Sequence, residues 1–441
     1  MTKLSLTIAA ALAALSAVPA VAKDGVAERV RADLPGLVAI YRDLHQNPEL
    51  SFQEVRSAKI MADAARAAGF EVTERVGKTG VVAVLRNGAG PTVLIRADMD
   101  GLPVVEQTGL PYASKARGTS TAGVESGIMH ACGHDTHMTG WIGAARALSA
   151  SRANWSGTLV MIGQPAEEIT DGAAAMIADG LFTRFPKPDY TLAFHDTSDL
   201  ASGVVGVKAG FVLANSDSVD ITVKGLGGHG AYPQTTKDPI VLASAIVMRL
   251  QTLVSREASP FDPSVVTVGA FHGGAKHNII SDEVKLQLTV RSYSDKSRQL
   301  LLDGIKRIAR AEALASGLPE DRLPVVSVDA TGAKATFNTP ELAERMRGVM
   351  VAEFGAERVA NPLPSMAGED FGEFARAAGP KTQSLILWVG GRPAADLAAA
   401  ERDGKQLHGL HSPFWAPEAD KVIEAGAVAL SVAAMDLMPK R

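Results

Sequence analysis

What most constrains the fold is a series of short apolar runs that alternate between strand and helix character and are broken once by a stretch of different style. From about residue 80 the runs predict strands over Val81–Leu85 and Thr92–Ala97 and a helix over about Thr136–Ala150. A strand over Thr158–Gly163, a helix over Ala173–Ala178 and a strand over Tyr190–His195 follow. Such alternation favours an α/β sheet covered by helices. Residues 27–68 before it have helical patterning, with a break at Asn47-Pro48. After Ala209-Gly210 the style changes. Strands are predicted over Ser218–Lys224, Val265–Phe271 and Val284–Tyr293, with helices over Pro239–Ser255 and Lys296–Ser316. The first style resumes after Leu323, with helices over Pro340–Phe354 and Pro417–Met438 and a strand over Ser384–Val389. The expected architecture is an α/β/α domain in two parts, residues 23–213 and 323–441, interrupted by a smaller α+β domain over 214–322.

A chain of 441 residues is long enough for two such cores. Its 44 Lys plus Arg against 48 Asp plus Glu leave no basic block to track phosphates, so nucleic acid is not expected as a partner. At the start, Lys3 precedes a largely apolar run from Leu4 to Val18, and Ala20-Val21-Ala22 supplies the small residues of a signal-peptidase site. Residues 1–22 therefore read as a cleavable export signal. The run is short for a bilayer span, and the mature chain is expected to be secreted or periplasmic without stable membrane insertion. An exported chain with one cysteine can form no internal disulfide, so Cys132 needs another explanation.

In His130-Ala131-Cys132-Gly133-His134-Asp135 a thiol and an imidazole stand two residues apart at a predicted turn into a helix, where both could face one ion. Such turns are where α/β enzymes place their sites. His130 and His137 could join them or lie outside the cluster. Gln164-Pro165-Ala166-Glu167-Glu168 leaves a buried apolar strand, so one glutamate can bind a metal while its neighbour takes a proton from water. His195 and His411 fall at the ends of predicted elements of the same domain. Thiolate, carboxylate and imidazole together suit zinc, manganese, cobalt or nickel and not calcium.

RADMDGLPVVEQTG, GIMHACGHDTHM, QPAEE, GGHGAYP, HNIISDEV and LHSP, in this order, resemble the aminoacylase and carboxypeptidase family of dimetal hydrolases. More narrowly they resemble its branch of hippurate hydrolases and auxin-conjugate (IAA-amino acid) amidohydrolases. The resemblance runs over roughly residues 30–435. It implies a metallo-exopeptidase-like catalytic domain holding two divalent transition-metal ions, with an inserted lid through which the chain forms a homodimer. It places the metal ligands at Cys132, His134, Glu168, His195 and His411, the general base at Glu167, and an aspartate beside the ligands at Asp98. His229 falls on a histidine that reaches a neighbouring active site to polarise the scissile carbonyl, and Asn278 and Arg291 fall near residues that hold substrate. Arg96 and Cys132 stand where related exopeptidases have a histidine and a bridging aspartate, and Asp196 follows His195 where the branch more often has an apolar residue.

The implied reaction is hydrolysis of an N-acyl amino acid or short peptide by water, with Glu167 moving the proton and metal and His229 sharing the oxyanion charge. Arg291 could anchor a substrate carboxylate. Two competing readings stay open. A metal-dependent dipeptidase or carboxypeptidase of the same fold would share every ligand, whereas a catalytically silent periplasmic binding protein would have no use for Glu167.

Overall fold

The computed structural model describes residues 25–329 and 332–440; the export signal expected over residues 1–22 lies outside them. The larger sheet has eight strands. In spatial order they are Glu71–Val76, Gly80–Asn87, Gly157–Gln164, Thr92–Asp98, Tyr190–Ala201, Gln383–Arg392, Val205–Gly206 and Val359–Ala360. The four from Gly157–Gln164 to Gln383–Arg392 run parallel, so their carboxyl ends open on one edge of the sheet. That edge is where open α/β sheets bind ligands.

Period-two burial explains the layers. In Thr92–Asp98, Val93 and Ile95 pack with the helices Val26–Gln46, His134–Ala150 and Ala419–Leu437, while Leu94 faces a second core with Met176, Phe182, Phe371 and Phe374. The sheet is thus covered on both faces, as parallel sheets require. The Phe194 ring wedges between two of these helices. A Cβ at Gly140 would come within 2.6 Å of it and one at Gly426 within 2.5 Å, so only glycine lets both helices approach the strand that carries His195.

The interrupting unit has its own four-stranded antiparallel sheet, Ser264–Gly273, Glu283–Ser292, Asn215–Lys224 and Val325–Val328 in spatial order, and its own core. Alternate residues Val219, Ile221 and Val223 turn toward the helices Pro239–Thr252 and Asp295–Ala315. The first helix starts where Asp238 accepts the Ile240 N–H at 2.8 Å, and the second where Ser294 accepts that of Ser297 at 3.0 Å. The fourth strand lies past residue 322 and pairs with Asn215–Lys224, so the smaller unit extends to Val328 and not only to the expected boundary. Its short, partly exposed run has no continuous apolar signal. A second difference concerns His195. The strand predicted to end there continues to Ala201, pairing along Gln383–Arg392, so His195 is a mid-strand residue.

Candidate metal centre

Four segments deliver the donors. The turn before helix His134–Ala150 carries Cys132 and His134, and Gly133 between them is left-handed at φ 77°. The turn after Gly157–Gln164 carries Glu167 and Glu168. Strand Tyr190–Ala201 carries His195. A loop near the C-terminus carries His411, itself left-handed at φ 66°, with its N–H donated to the Ala131 carbonyl at 2.8 Å. A non-glycine residue in that region is strained and persists only where its surroundings hold it.

These side chains converge. His411 Nε2 lies 3.2 Å from Cys132 Sγ and 3.6 Å from Glu168 Oε2, and His195 Nε2 lies 3.6 Å from Cys132 Sγ. His134 Nε2 lies 3.8 Å from both Glu167 Oε2 and Glu168 Oε1, and 3.5 Å from Asp98 Oδ2. Cys132, Glu168 and His411 form one group able to hold an ion, and His134 with Glu167 and Glu168 another. Among the described residues, His134 Nε2 and Glu168 Oε1 are buried with no hydrogen-bond partner. Unpartnered buried atoms among soft and borderline donors are what a pair of transition-metal ions would satisfy.

The other ring nitrogens are oriented. His134 Nδ1–H donates to the Asp100 carbonyl at 2.7 Å and His195 Nδ1–H to the Asp196 carbonyl at 2.7 Å, which leaves both Nε2 atoms free for a cation. Asp98 is shared by Arg96 at 2.7 Å and His137 at 2.6 Å, consistent with an orienting group beside the ligands. His137, left open by the sequence, is buried behind the ligands with its ring 4.5 Å from that of His195.

Sequence reasoning missed the residues that fix the Glu167–Glu168 turn. Asp100 accepts the backbone N–H of Glu167 on Oδ1 and of Glu168 on Oδ2, each at 3.1 Å, and Glu54 accepts that of Ala166 at 2.8 Å. Ala166 is left-handed at φ 49°, so two buried carboxylates hold three successive N–H groups of a strained turn. Asp100 could have been noticed as the second aspartate of RADMDGLP, immediately past a buried strand. Behind Glu167, the fully buried Arg96 is hydrogen-bonded to Asp98, Glu369 and Gln164.

Burial dominates the electrostatics of the centre. With the nearby carboxylates of Glu369 and Glu168 it holds the Glu167 pKa well above the carboxylate range, so in the metal-free protein this carboxyl keeps its proton. Burial pushes Glu168 up to about 8 and the Cys132 thiol well up, while burial and neighbouring histidines push His411 down to about 4. A neutral His411 is the metal-binding form.

A cavity of about 860 Å3 opens over the donors, lined by Cys132, Glu167, Glu168, His195 and His411 and, from the smaller unit, by Arg291. His229 and Asn278 do not line it. They sit together on the exposed ribbon that pairs Gly228–His229 with Ile279–Ile280, where the Gly230 N–H donates to the Asn278 carbonyl at 2.9 Å.

Residues 94–429 match Peptidase family M20/M25/M40, and the chain belongs to that family. It is a metal-dependent amidohydrolase of a dinuclear metal-binding type. It is 39% identical to the hippurate hydrolase of Campylobacter jejuni over 338 residues, covering 76% of this chain and 84% of that one. It is 35% identical to IAA-amino acid hydrolase ILR1-like 4 of Arabidopsis thaliana over 341 residues, covering 77% and 74%. The solved structure of the Bacillus subtilis YXEP protein, a dinuclear metal-binding peptidase of the M20 family, superposes with a TM-score of 0.73 at 28% identity, covering 92% of this chain and all of that one.

Proposed function

We propose that the substrates are N-acyl amino acids, bound by their carboxylate and cleaved at the amide. The observation that carries this reading is Arg291. It lines, from the smaller unit, the cavity shared with Glu167 and His195, and among the described residues its hydrogen bond goes to a backbone acceptor, the Val290 carbonyl, and not to a carboxylate. A half-buried guanidinium without a carboxylate partner is a receptor for an anion.

Cys132, His134, Glu168, His195 and His411 would hold two divalent ions, which when bound supply charge to polarise an amide carbonyl and acidify water. Glu167 takes the proton from the attacking water and passes it to the departing amine nitrogen. Cations bound beside it would favour its ionised, proton-accepting form. The carboxylate held by Arg291 sets which amide reaches Glu167.

The same reading assigns His229 to the cavity of a second copy, where its ring would share the oxyanion charge, with Asn278 beside it. An exposed face on the smaller unit supports a homodimer. Ser264–Gly273 ends its sheet, and the neighbouring helix Pro239–Thr252 exposes Val241 (66%) and Met248 (72%). Unpaired strand edges and exposed apolar patches invite pairing. Export to the periplasm or beyond is supported by Lys3, the apolar run to Val18 and Ala20-Val21-Ala22, and N-terminal sequencing of the mature protein tests it.

The deciding experiment is a panel of benzoyl, acetyl and indoleacetyl amino acids and of dipeptides, each with metal-loaded protein. Release of amino acid from the acylated members supports the proposal. Turnover confined to dipeptides favours a peptidase, and no turnover with any member sinks it.

A further inference from the structure

We propose that Asp196 acts as a positioning residue for the metal centre: its carboxylate, set behind the His195 ring, tightens cation binding through His195. Asp196 follows His195 on the central strand and is fully buried. Among the described residues neither carboxylate oxygen makes a hydrogen bond of good geometry. Oδ1 stands 3.3 Å from His137 Nε2 and 3.4 Å from His195 Nδ1, and against the opposing effect of burial these rings hold the Asp196 carboxyl below the usual carboxylate range. His137 Nε2 accepts the backbone N–H of Asp196 itself at 2.9 Å, so the His137 proton resides on Nδ1, facing Asp98. The His195 Nδ1 proton is directed at the Asp196 carbonyl, 2.7 Å away.

The remaining side is closed by Gly133. A Cβ there would lie 2.4 Å from Oδ1, and the Gly133 N–H is already donated to His130. Across the His195 ring from Asp196, Nε2 faces the Cys132 thiol. When that nitrogen binds a cation, the ring carries positive charge toward Asp196, and a carboxylate behind a ligating imidazole strengthens the ligand.

In Asp196→Asn, and in Asp196→Leu as a second variant, the metal-free protein should remain folded by circular dichroism while Zn2+ affinity, measured by competition with a chromophoric chelator, falls by roughly 10- to 100-fold, the usual loss when a ligand's partner is removed. A packing role would lower stability and leave the affinity of the folded protein unchanged. An affinity unchanged or raised in both variants overturns the proposal. The measurement does not use turnover, so the result stands apart from the substrate assignment.

Discussion

His411 brings its Nε2 to 3.2 Å from the Cys132 sulfur across 279 residues of sequence, the longest closure in the centre. Burial holds that thiol protonated and pushes Glu168 up to about 8, so a cation must displace protons to bind. Affinity for Zn2+ should therefore rise between pH 6 and pH 8, with protons released into a weakly buffered indicator. Cys132→Ser should bind the ion at least about 10-fold more weakly and release fewer protons. Its circular dichroism should be unchanged. A pH-independent affinity in the wild type would contradict the protonated-ligand picture.

Glu167→Gln keeps the shape of the turn held by Asp100 and removes the proton acceptor. Turnover should fall by roughly 100- to 10,000-fold while metal content per chain stays at the wild-type value. Retained turnover would remove Glu167 from its role, and loss of metal would make it a ligand.

Arg291→Met should raise KM for carboxylate-bearing substrates by roughly 10- to 100-fold, the range for losing a charge-assisted hydrogen bond pair. Substrates amidated at that carboxylate should react equally with both proteins. Parallel losses on both substrate types would point to a disturbed cavity.

Because His229 stands outside the cavity of its own chain, two inactive proteins should complement each other. Mixing Glu167→Gln with His229→Ala under conditions that exchange subunits should restore up to about half of one site per dimer, which joins an intact base with an intact histidine. No recovery, with exchange verified by native mass spectrometry, would confine His229 to a structural role.

A pH effect on stability is expected at His45. Its Nδ1 lies 2.6 Å from Asp135 and its Nε2 3.1 Å from Glu106. Burial opposes a charge there, but the hydrogen bonds to Asp135 and Glu106 outweigh it and raise the pKa to about 10. A folded-state pKa above the unfolded value contributes stability that is full below about 6.5 and is lost as pH rises through about 10. Urea midpoints across that window should show the wild type losing its advantage over His45→Gln. Parallel curves would show His45 to be uncharged.

The side chains that converge were legible because they stand in dense motifs: Cys132 and His134 two residues apart, Glu167 beside Glu168, and His195 on an apolar strand. The residues that orient them were not. Asp100 and Glu54 act on backbone N–H groups, and Arg96 meets Glu369 across 273 residues, contacts that leave no periodic trace in sequence. Similarly, the two-layer burial of the parallel strands was readable, whereas the partly exposed strand Glu71–Val76 and the helix Ala394–Asp403, with no buried residue, were not anticipated.

The smaller unit enters at Asn215 and leaves beside its own entry, for Ser216 bridges Ala333 and Val219 pairs with Val328. Two neighbouring strands are thus its stem, and none of the five candidate donors lies within the unit. The metal site and the proposed anion receptor Arg291 are therefore carried on separately packed cores, so a shift of one core against the other changes the reach from Arg291 to Glu167 while leaving the donors in register.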